Sequence, residues 1–196
     1  MRSAPRTLAT LLAAVLVLGV PAAAWASEGS IPPDVRAFVT GGGLLDELDD
    51  VYGTNAAGDG IEFDETTTPG PIMRVFHFTD ERLAGDTGGK PTRMVNEWAV
   101  PVSVAEQPVG VALVWINPDH ERPELAELQI DADAAVALAE VPEASRLVRD
   151  LASGAWFALA DDTLTPLVAG ASGILEPVPV DEAQLREPQT EMPDAP

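Results

Sequence analysis

Cysteine is absent from the chain, lysine occurs once and histidine twice. Without thiols no disulfide can staple the fold, thiolate zinc sites are excluded, and there is no cysteine for a lipid anchor. Stability must come from buried apolar surface. Bases are also scarce, with 11 Lys and Arg against 32 Asp and Glu. A surface of that sign does not suit nucleic acid or anionic lipid, both of which require a basic face. Cations and basic peptides or proteins remain compatible, although acid alone also keeps an exported protein soluble. Ten arginines to one lysine, with abundant alanine, point to a GC-rich bacterial genome.

One apolar run stands out. Arg2 and Arg6 precede Leu8–Val20, which carries no charge; Pro21 breaks it and Ala24-Trp25-Ala26 supplies small residues at the two positions a signal peptidase reads. The pattern predicts a signal peptide over residues 1–26, cleaved after Ala26, with cleavage after Ala24 as the alternative. Thirteen residues make a helix of about 20 Å, short of a hydrocarbon core of roughly 30 Å. No later run is long enough to span a bilayer, so a secreted or extracytoplasmic location without an integral membrane segment is expected. Beyond the leader, the chain carries nine bases against the same 32 acids and is of a size for one domain.

Residues 27–70 read as short helices and a mobile acidic loop: a brief helix after Pro32-Pro33-Asp34, stopped at Gly41-Gly42-Gly43, another near Leu44–Tyr52, then a loop over Gly53–Gly70 in which Ile61–Phe63 could pair as an edge strand. Residues 71–175 read as an α+β domain. Strands are expected at Ile72–Phe78, Trp98–Val104, Val109–Ile116 and Glu124–Ile130, the last with Ala126, Leu128 and Ile130 inward, the final three forming an antiparallel meander. Asp131 or Asp133 caps a helix to Glu140; Pro142 opens a second helix with Leu147, Val148 and Leu151 on one stripe, ended by Gly154. Ala155–Ala160 and Leu164–Ala169 close a hairpin turned at Asp161-Asp162. The fold expected is an antiparallel sheet of about five or six strands with helices packed on one face. Residues 176–196, rich in proline and acid, read as a disordered tail.

Few residues offer chemistry. His77, flanked by Phe76 and Phe78 and followed by Asp80 and Glu81, is a candidate general base; more often a strand histidine is a half-buried structural residue. Asp119-His120-Glu121 offers polar groups in a turn, where neighbours point apart and solvation is the plainer account. Asp59, Asp64 and Glu65 lie in a stretch resembling a calcium loop only at Asp59-Gly60; Ala57 and Thr66 occupy ligand positions, so a flexible acidic loop fits better. Ser172 lacks a nucleophile-elbow setting, the triple glycine lacks the residues of a phosphate loop, and no cofactor motif occurs. Trp98, Trp115 and Trp156 are expected in the core rather than on a binding platform. The chain thus reads as an exported, non-catalytic binding or interaction module for an unknown protein, peptide or small-molecule ligand. A secreted hydrolase using His77 or His120, and a cation-binding envelope protein, are the rival readings.

Overall fold

The computed structural model of the protein describes residues 31–185. The expected signal peptide with its Ala26 junction, and residues 186–196, lie outside them.

Two helices lead: α1 (Pro33–Thr40) and α2 (Gly43–Tyr52), joined through Gly42, whose φ of 97° only glycine takes readily. Their apolar positions recur at helical spacing, and Val35, Val39, Leu44 and Leu48 are all buried. Full burial of each such side chain contributes about 1.5–3 kcal/mol, which holds two short helices that would not persist alone. Next come β1 (Thr67–Pro69), β2 (Met73–Phe78), α3 (Asp80–Leu83), β3 (Thr92–Val104), β4 (Gln107–Asn117), β5 (Arg122–Gln129), α4 (Ala132–Ala139), β6 (Arg146–Asp150), β7 (Ala155–Ala160), β8 (Thr163–Val168) and β9 (Val178–Pro179). Asp131 caps α4 by accepting the Ala134 amide.

The sheet has nine strands, more than the five or six expected from sequence, in the order β5-β4-β3-β2-β6-β7-β8-β9, with β1 paired to the far end of β3. It is mixed rather than purely antiparallel, because β2 and β6 run parallel. Helices cover both faces, not one. On one face α1 and α2 pack against Trp98, Val100, Val102, Ala112 and Val114; on the other, Ala134, Ala135 and Leu138 of α4 meet Val75, Ala99, Val111, Leu113, Leu147 and Trp156. The alternation along β3 and β4 accounts for this, since both of their faces are apolar and each needs a cover.

The sheet rolls around α4. Four strand spacings separate β5 from β6, about 19 Å if the sheet were flat. Yet Arg149 on β6 donates to Glu127 on β5 at 3.2 Å, and the Trp156 indole on β7 donates to Gln129 on β5 at 3.2 Å. Only strong curvature, with α4 inside it, brings these side chains together.

Four further sequence expectations change. The helix expected after Pro142 is strand β6. The inward set of β5 is Leu125 and Leu128, because a bulge opposite Leu113 and Val114 turns Ala126 out, and Ile130 is exposed. Within the stretch expected as a loop, Thr67–Pro69 forms a strand and Phe63 is buried, while Ile61 makes only a single bridge to Gly53. Finally, residues 176–185 are packed instead of forming the start of a disordered tail, with Val180 and Ala183 buried against Phe76, Phe78 and Phe157.

Candidate functional site

Strand β2 organises two recesses, one at each of its ends. At its C-terminal end a small cavity of about 110 Å³ is lined by His77, Asp80, Arg93, Arg149, Asp150 and Leu151, among others. Register places these groups: His77 lies opposite Arg93 on β3 and beside Arg149 on β6, so all three share the concave face. Burial, reinforced by the Arg93 and Arg149 charges, pushes the His77 imidazole down to about 4, so it is neutral at pH 7. Its Nε2 lies 3.8 Å from Glu97 Oε2, too long for a hydrogen bond, and both buried atoms lack a partner. Arg149 pairs with Glu127 and lies over the Trp156 ring, 5.3 Å from its centroid. Ser153 Oγ donates to Asp150, which also accepts the Ala152 amide and thereby closes the turn after β6.

The larger recess lies at the N-terminal end of β2. Pairing with β6 begins only at Val75, which leaves the flank of Pro71–Arg74 open toward the connection from α4 to β6. The result is a cleft of about 670 Å³, nine of whose twelve lining residues are apolar; the other three are Arg74, Glu143 and Ser145. Arg74 is half-buried, its guanidinium 4.4 Å from the Trp98 ring centroid and its Nη1 donating to the Val95 carbonyl at 2.8 Å. Its Nε is buried without an acceptor, as is Trp98 Nε1, and burial pushes the Arg74 pKa down. Among the described residues no carboxylate lies within ion-pair distance of Arg74. For a chain with nearly three acids to each base that is a notable position for a cation.

The other sequence candidates are placed elsewhere. Asp80 joins His77 at the smaller recess. His120 stands 58 % exposed in the β4–β5 turn, with Nδ1 3.3 Å from Glu124. Hydrogen bonds from Asn117 and Arg122 lower the pKa of Glu124. Asp64 and Glu65 border a surface depression with Asp46, Asp49 and Asp50, while Asp59 is exposed in a separate turn and its amide donates to Asn55. The side chain of Asp64 is occupied by the Thr66 amide and hydroxyl, which lower its pKa. Among the described residues no group of three His, Cys, Asp or Glu could hold a metal ion. Trp98 and Trp156 are fully buried and Trp115 is half-buried.

Sequence reasoning passed over Arg74, although the signal was there: it falls on the same strand face as Ile72, Phe76 and Phe78, where a lone charge has to be explained. Comparison with known proteins finds no matching family, no matching curated sequence and no matching solved structure, so the site is read from its own geometry.

Proposed function

We propose that this chain is an exported, non-catalytic binding module, holding its ligand in the cleft beside β2. The single observation that carries the reading is that cleft: large enough for a small molecule or a peptide side chain, mainly apolar, with few polar groups converging on it. No helix among the described residues is long and apolar enough to cross a membrane, which is compatible with an exported module. Between the two ways a sheet can hold a partner, the cleft is favoured over the edge. The Leu125 and Leu128 amides on edge strand β5 donate to Glu47 at 2.6 Å and to the Tyr52 hydroxyl at 3.1 Å, so α2 already occupies part of the edge a partner strand would need.

The hydrolase reading draws support from a neutral His77 set among carboxylates. Against it, none of the described residues lining that recess carries a hydroxyl, and Ser153, in the turn after β6, is bonded to Asp150. The test is a fragment titration followed by amide chemical shifts. Shifts clustered on Ile72–Phe76 and Val141–Leu147 are expected. Shifts confined to the His77 recess, together with ester turnover abolished by His77→Ala, would displace the binding reading.

A further inference from the structure

The cleft proposed as the binding site also carries information on what it binds, and this inference rests on that reading. Its walls are aliphatic and aromatic, with Ile72, Met73, Phe76 and Leu147 among them, and they provide for an apolar body. Arg74 is set into this surface with its guanidinium over the Trp98 ring and, among the described residues, no acid as counter-ion. A guanidinium withdrawn from water without a carboxylate is costly, and an anion arriving in the cleft would relieve that cost. The Ser145 hydroxyl, which also lines the cleft, makes no hydrogen bond to any described residue and is a second free donor. Glu143 is exposed, where solvent screens it. One guanidinium already spending an N–H on Val95, plus one hydroxyl, suits a monoanion better than a phosphate dianion.

We propose that the cleft binds an organic monocarboxylate with an aliphatic body, the headgroup held by the Arg74 guanidinium and the Ser145 hydroxyl and the chain lying along Ile72, Met73 and Leu147. Such a ligand uses both properties of the recess at once. A neutral aliphatic molecule leaves Arg74 without an anion, and a cationic one opposes it.

Three probes of equal chain length separate the contributions: octanoate, 1-octanol and octyltrimethylammonium, each titrated by calorimetry and by the indole N–H resonance of Trp98. Octanoate is expected to bind at least about tenfold tighter than octanol, the difference expected of a hydrogen bond to a charged group, and octyltrimethylammonium weakest. Arg74→Gln should remove the advantage of octanoate over octanol, whereas Arg74→Lys should keep part of it. Ser145→Ala lies on the connection before β6 and should reduce octanoate affinity severalfold even where Arg74 variants fold poorly. Equal binding of octanoate and octanol, or preference for the cationic probe, would overturn the carboxylate assignment while leaving a working cleft. Absence of any Trp98 response to all three probes overturns both the assignment and the cleft as the binding site.

Discussion

Three arginines of this acidic chain lie against aromatic rings instead of reaching into solvent: Arg74 over Trp98, Arg146 over Phe76 and Arg149 over Trp156. Each covers an aromatic face with its guanidinium, an interaction worth about 0.5–2 kcal/mol. Of the three only Arg149 acts on His77, which burial first, and then the Arg93 and Arg149 charges, keep neutral. Its ordinary pKa of 6.5 falls to about 4 in the folded protein. Between those values the unfolded chain takes up a proton that the folded one refuses, so this group's contribution to stability is complete above pH 6.5 and is lost as pH falls toward 4. Asp150, whose charge opposes the shift, and partial solvation limit the effect to about 2 kcal/mol. Urea unfolding at pH 7 and pH 4.5 should therefore show His77→Gln losing less stability on acidification than the wild type. Equal losses would mean that the buried imidazole does not oppose protonation.

Among the elements, β6 shows how a sequence can be read correctly in polarity and wrongly in period. Leu147, Val148 and Leu151 fit a helical stripe only while Arg146 and Arg149 are taken as solvent-facing. Both in fact sit on aromatic rings, Leu147 and Val148 face opposite sides of the sheet, and Leu151 is exposed. The β7–β8 hairpin was legible because Asp161-Asp162 takes the left-handed pair of conformations, φ 47° and 59°, that such a turn needs and that Asp tolerates. Strand β9 and the residues around it were not legible, because what secures them is remote in sequence. Arg82 is buried and donates to the Val180 carbonyl, from Nε at 3.1 Å, and to that of Ala183 at 2.6 Å. Arg82→Ala would leave those carbonyls without donors and is expected to cost about 2–4 kcal/mol. Hydrogen exchange should show the Val180 amide, bonded to Asp162, losing protection while β7 amides keep theirs. Uniform loss across β7 and β8 would contradict a local clamp.

At the scale of the whole molecule, the roll of the sheet is what local pattern could not convey. Alternation identifies the β3–β4–β5 meander, but not that β5 curves far enough for Gln129 to meet Trp156, nor that α4 fills the concavity while α1 and α2 cover the opposite face. The candidate site was half legible for the same reason. His77 and Asp80 stand close together in sequence and were singled out, whereas Arg93, Arg149, Glu97 and the Arg74 cleft depend on the pairing of β2 with β3 and β6, partners that local pattern does not assign. Pairing of β2 with β6 that begins only at Val75 leaves β2 open on one side before it and so opens the cleft on which the functional reading rests. The most direct measurement is a crystal structure grown with octanoate. Density in the cleft with a carboxylate within hydrogen-bond distance of Arg74 is the result expected; octanoate seated against His77 and Arg93, with the Arg74 cleft closed by its own side chains, would contradict it.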